Sequence, residues 1–218
     1  MLCSAILVTE TDVFIQFTPD TADGCAANAE EFNLSPKRYR KLCREFCLPE
    51  PVVVPFPAGE DFYTAVQDAH AITQAIREGA RLLSFAPCSG RELRRKLTDR
   101  GFSAENAHKT VRFLVKKGFL NEAAQAVQYA WSVKDRYGPR RIRAYLRNRG
   151  YTAEAIDAAA EAVPDDETYA ALQRILEKKY MPFPKEAYER KKAVAALMRR
   201  GYTANEIFRA IRDSEKEK

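Results

Sequence analysis

Apolar positions from about residue 61 onward recur three and four apart, the spacing of helices that bury one face. Leu93 and Leu97 form such a stripe, followed by Ala107, Val111, Leu114 and Val115. Ile142, Tyr145 and Leu146 repeat it, as do Ala193, Leu197 and Met198. Between the stripes one pattern occurs three times: Arg100-Gly-Phe-Ser-Ala-Glu, Arg149-Gly-Tyr-Thr-Ala-Glu and Arg200-Gly-Tyr-Thr-Ala-Asn. The glycines Gly101, Gly150 and Gly201 are 49 and 51 residues apart, a period that marks a repeat architecture. Each glycine suits the left-handed residue that ends a helix. The Ser or Thr two positions later suits the N-cap of the next helix. The aromatic between them is placed to staple against the following first turn, with Ile156 and Ile207 at the matching positions. Thr203 with Glu206 has the spacing of a capping box.

A longer helix is predicted ahead of each pair, at about 61–85, 121–136 and 165–180. Three helices per repeat make nine, and stacked units cover apolar faces that one unit cannot. The expected fold is mainly α: tandem three-helix repeats forming an elongated curved array. A small N-terminal α+β appendage precedes it. Its expected parts are strands at Ile6–Thr9, Val13–Phe17 and Val52–Val54, and a helix opened by Ser35-Pro36 and running to about Phe46. The proline-rich stretch from Pro49 to Gly59 reads as a linker. The expected boundaries are 1–60 for the appendage, then 61–121, 122–163 and 164–218 for the three repeats.

Composition narrows the class. With 46% hydrophobic and 30% charged residues, the chain is neither disordered nor membrane-spanning in character. The start, Met1 to Val8, has no basic segment, and Glu10 and Asp12 follow, so no secretory leader is expected. Five scattered cysteines fit a reducing, cytoplasmic setting. Cys43 and Cys47, four apart on a helix, have the spacing of metal ligands. Cys25 and Cys88 add no recognisable pattern, so buried thiols are the expected reading. Gly-rich phosphate loops are absent, and His70 and His108 are the only histidines. Neither an enzyme nor a cofactor is expected.

The net charge of +6 hides its distribution. Residues 91–149 hold 16 basic and 5 acidic side chains, an excess of 11, whereas 150–218 balance at 13 of each. Such concentration points to a polyanionic partner or to a solvated helical face. Arg136, Arg140, Arg143 and Arg147 are spaced four, three and four apart, along one side of a helix. Arg141 and Arg149 flank this stripe. Arg91, Arg94, Arg95 and Lys96 occupy the equivalent helix of the first repeat, and Lys116 and Lys117 end the next one. Lysines there also complement a helix dipole, but four aligned arginines repel one another by a few tenths of a kcal/mol per pair. Guanidinium forks bind phosphates and carboxylates in pairs. The candidate partner-binding residues are therefore Arg94, Arg95, Lys96, Lys116, Lys117, Arg136, Arg140, Arg141, Arg143 and Arg147. Tyr129 and Trp131 lie on an apolar stretch and are expected in the core.

Two further runs carry a resemblance. Leu82-Leu-Ser-Phe-Ala-Pro-Cys-Ser-Gly-Arg-Glu-Leu-Arg-Arg-Lys-Leu97 and Tyr137-Gly-Pro-Arg-Arg-Ile-Arg-Ala-Tyr-Leu146, with Gly101-Phe102 and Gly150-Tyr151, resemble the RecX regulatory proteins. The resemblance covers about 61–218. It departs at Ala86 and Cys88, where members carry arginines, and at Asn121-Glu122, which keeps one charge of an acidic pair. It implies tandem three-helix repeats and a non-enzymatic regulator of the bacterial recombinase RecA, docked in the groove of the RecA–DNA filament. There it would restrain strand exchange, co-protease activity or filament growth. The other reading of the basic side chains is a module that binds single- or double-stranded DNA weakly and without sequence preference.

Overall fold

The computed structural model describes residues 1–19, 29–49, 51–180, 183–184 and 186–216. Cys25 lies outside them. The N-terminal part forms β1 (Leu2–Val8), β2 (Val13–Thr18), β3 (Glu30–Leu34), α1 (Pro36–Glu45) and β4 (Phe56–Pro57). Nine helices follow among the described residues. They are α2 (Glu60–Phe85), α3 (Gly90–Thr98), α4 (Ala104–Lys116), α5 (Glu122–Val133), α6 (Pro139–Asn148), α7 (Ala153–Glu161), α8 (Asp165–Tyr180), α9 (Ala187–Arg199) and α10 (Ala204–Lys216). The protein is mostly helical with a small N-terminal antiparallel sheet.

Two compact units divide the chain. The first comprises 1–82 and 96–116, and the second 83–95 and 117–218. In the first unit the strands run antiparallel in the order β3-β2-β1-β4. Val13, Ile15 and Phe17 alternate inward on β2 and are fully buried, as period-two patterning requires. Their core includes Leu34, Leu42, Phe62 and Val66, so the first turns of α2 belong to the sheet's interior. Two expectations are corrected here. Residues 52–54 form no strand; pairing begins at Phe56 and Pro57, which meet Cys3 and Leu2, so the stretch read as a linker completes the sheet. β3 was not expected, because Glu30-Glu-Phe-Asn-Leu34 is short and polar and pairs by following β2. Proline starts α1 as expected, while the Ser35 side chain makes no capping bond. Further along, Gly79 of α2 admits α4 closely: a Cβ there would lie 2.9 Å from Leu114 Cδ1 and 3.0 Å from Thr110 Cγ2.

The repeated corners form as the sequence implies. Gly101, Gly150 and Gly201 have φ of +88°, +76° and +99°. In each, the glycine N–H donates to the carbonyl three residues back, at 2.9 Å. The next aromatic N–H donates to Leu97, Leu146 or Leu197, at 3.1–3.4 Å. This is the two-bond Schellman closure. Ser103, Thr152 and Thr203 then accept from the N–H three residues on, at 3.1, 3.3 and 3.2 Å. Glu206 answers the Thr203 N–H at 2.6 Å, completing the box. Within the second unit, Tyr151 and Ile156 share a core with Ile142 and Leu146. Tyr202 and Ile207 share another with Leu172 and Leu197.

Several side chains expected inside are not. Trp131 is 43% exposed and Tyr145 38%, while Val115 and Met198 are also exposed. Tyr145 instead stacks on half-buried Tyr129, ring centroids 4.3 Å apart.

Candidate functional site

In the second unit each corner seats on the start of an earlier helix. Ser89 caps α3: its Oγ accepts the Glu92 N–H at 3.1 Å and donates to the Arg149 carbonyl at 2.5 Å. Glu92 returns a bond to the Ser89 N–H at 3.3 Å and holds Arg149 in a fork at 2.7 and 2.6 Å. These hydrogen bonds hold the Arg149 guanidinium well above its ordinary pKa. Arg149, which flanks the arginine stripe in sequence, thus stays charged with its charge balanced by Glu92. Glu122 ties the same joint together, accepting from Gly90 N–H at 2.6 Å and Thr152 N–H at 2.8 Å.

The next corner repeats the seating on α6. Gly138 N–H donates to Arg200 O at 2.8 Å, and Arg140 N–H to Gly201 O at 3.3 Å. The backbones meet so closely that a Cβ on Gly138 would fall 2.7 Å from the Gly201 carbonyl carbon and oxygen. By chain register Arg141 stands where Glu92 stands in the earlier joint, and Arg200 where Arg149 stands. An acid–base pair in one joint is therefore two like charges in the other.

This arrangement splits the predicted stripe. Arg140, Arg143 and Arg147 are exposed on one side of α6, and no ion pair involves them among the described residues. Ile142 and Leu146 face the opposite way and are buried. Arg141 turns off the stripe, its guanidinium 4.4 Å from the Tyr137 ring centre and donating to Arg199 O at 2.9 Å. Together with Arg136, which lies in the loop after α5, it lines a cavity of about 700 Å³. Arg94, Arg95 and Lys117 are exposed elsewhere in the second unit, and Lys96 and Lys116 belong to the first. Sequence reasoning missed Glu92, Glu122 and Arg200; apart from the Ser89 N–H that Glu92 accepts, their partners lie 30 or more residues away. The signal available was the register of the repeat, which aligns Glu92 with Arg141.

Other chemistry is sparse. Cys43 is buried and Cys47 exposed at φ 51°, so they do not form a paired face. Among the described residues no group of three or more His, Cys, Asp or Glu could hold a metal ion. No described helix is long and apolar enough to cross a membrane.

Family comparisons agree with this architecture. Residues 75–114 match the first three-helix domain of RecX and residues 165–211 the third. A Regulatory protein RecX from Xanthomonas campestris pv. campestris (strain B100) is 35% identical over 142 residues, spanning 63% of this chain and 85% of the relative. The chain belongs to the RecX family. Another Regulatory protein RecX, from Halorhodospira halophila, is 31% identical over 145 residues, covering 65% of this chain and 89% of that protein. A crystal structure of regulatory protein RecX superposes with a TM-score of 0.73 at 18% identity, covering 96% of this chain and 98% of that one. That of RecX from Lactobacillus salivarius gives 0.59 over 66% of this chain and 96% of that one.

Proposed function

We propose that this RecX-family protein is a non-enzymatic regulator that binds the RecA–DNA filament and mostly inhibits its recombinase, ATPase and co-protease activities in the cytoplasm. The observation that supports it best is the exposed line of Arg140, Arg143 and Arg147. These guanidinium groups lack internal carboxylate partners among the described residues. Each keeps its fork free for carboxylates or phosphates on a partner. A line of three such groups on one helix fits an extended, repetitive acidic surface, because several weak contacts on one rigid element add as avidity.

The test is RecA's ATP hydrolysis on single-stranded DNA, titrated with this protein. Inhibition at substoichiometric amounts supports the reading. An unchanged rate up to several-fold excess over RecA overturns it. The DNA-directed reading has its own support in the basic excess of residues 91–149. It predicts binding to bare DNA with an affinity that falls steeply with salt, by a log–log slope of roughly −0.9 per duplex phosphate contact.

A further inference from the structure

The joint between α6 and the third corner holds more positive charge than its architecture needs. Its cavity, about 700 Å³, is lined by Arg136, Arg141, Lys178, Lys179, Arg199 and Arg200. Among the described residues one acid lines it, Asp135, and Arg174 already holds that carboxylate at 2.8 Å. Lys178, Lys179 and Arg199 sit in the last turns of α8 and α9, where cations complement the helix dipole. That reason does not extend to Arg141. It lies in the first turn of α6, which carries no acidic residue, and a cation there opposes the dipole. Nor does it extend to the register: the equivalent position in the first joint is Glu92, which closes a salt bridge with Arg149 at 2.6 Å.

The guanidinium groups are also held in place. Arg141 is fixed by Arg199 O and the Tyr137 ring, and Arg200 Nη1 donates to Arg136 O at 3.2 Å. Each uses one nitrogen this way and keeps the remaining donors of its fork. Preset donors lose little freedom on binding.

We infer that this cavity is a binding site for clustered phosphates, of triphosphate size, supplied by a nucleoside triphosphate or by a nucleic-acid strand. Its volume falls in the ordinary range for small-ligand sites, roughly 300–1,000 Å³. Arginine forks match phosphate oxygens in pairs, and the lysines add point charge. The site does not rest on the recombinase contact proposed above and is tested without RecA present.

The experiment is calorimetric titration of the full chain with inorganic tripolyphosphate, with ATP and with an oligothymidylate. The variant is Arg141→Glu, which restores the acid–base pairing of the first joint and should therefore fold. Arg112→Glu, the same charge change on an exposed position of α4, is the control. The expected result is saturable binding of tripolyphosphate by the wild type, weakened at least tenfold by Arg141→Glu and less than about threefold by Arg112→Glu. For the oligonucleotide, losing the contacts of Arg141 and Arg200 should flatten the salt slope by about 1.4, at roughly 0.7 per single-strand phosphate. Binding of all three ligands identifies free polyphosphate as sufficient, and binding of the oligonucleotide alone identifies a strand as the source. Should Arg141→Glu fail to fold, Lys178→Glu with Lys179→Glu, both exposed, carries the same expectation. No binding of any of the three ligands, or equal losses in variant and control, overturns the inference.

Discussion

Adding one methyl group at each corner glycine separates backbone strain from the joint between repeats. Alanine at Gly101, Gly150 or Gly201 places a side chain at φ of +88°, +76° or +99°, which costs about 1–2 kcal/mol by itself. At Gly101 nothing lies within 4 Å of the new Cβ, so the cost stops there. At Gly150 the Cβ would come 2.4 Å from Arg91 Cδ and 2.9 Å from Arg91 Cβ. At Gly201 it would meet Arg141 N at 2.5 Å and Gly138 O at 2.9 Å. The Arg91 tip can swing away, but its Cβ and the α6 backbone cannot move without shifting a helix, so overpacking adds about 1–3 kcal/mol. Gly101→Ala should thus cost about 1–2 kcal/mol, and the other two about 2–5. Guanidinium unfolding followed by circular dichroism measures this as midpoint shifts at constant slope. Hydrogen exchange adds the location: Gly150→Ala should speed exchange at Leu93, whose N–H bonds Ser89 O at 2.8 Å. Equal costs at all three glycines, with α3 exchange unchanged, would refute the seating of corners on helix starts.

The other outcomes concern single contacts. Glu92→Gln weakens both the Arg149 fork and the Ser89 box and should destabilise by about 1–2 kcal/mol in urea unfolding, moderated because Arg149 is partly exposed. Thr203→Ala removes the third cap and should cost about 1 kcal/mol by the same assay. Tyr202 has a buried hydroxyl with no hydrogen-bond partner among the described residues, and burial pushes its pKa up to about 12. The fold thus favours the neutral phenol over an unfolded value of about 10. That contribution is complete below about pH 10 and disappears as pH climbs through the folded value near 12. Tyr202→Phe should raise stability by about 1 kcal/mol near neutrality and lessen the alkaline loss, read by unfolding at several pH values.

The helical part was legible because its signals are local. A glycine at a corner and a hydroxyl two places on specify φ and cap within a few residues, and all three copies fold that way; the intervening aromatic joins its matching isoleucine in the second and third. The exposed arginines of α6 were legible for the same reason, since helical spacing separates them from Ile142 and Leu146. What escaped depends on distant partners. β3 is held by β2 and not by its own pattern, and Phe56 finds its pair at Cys3, 53 residues back in sequence. Tyr145 kept the spacing of a core residue, but Tyr129 gives its ring a stacking partner at the surface. The contrast between Glu92 and Arg141 is written in the repeat, yet gains meaning only when both joints are built from the same seating.

The proposed engagement of the recombinase filament rests on the outward arginines of α6. Its most direct test is Arg140→Glu/Arg143→Glu/Arg147→Glu assayed for inhibition of RecA's DNA-dependent ATP hydrolysis, with helicity checked by circular dichroism. Because all three side chains are exposed, the variant should fold like the wild type while losing most of its inhibition. A folded triple variant that inhibits as strongly as the wild type would contradict the claim.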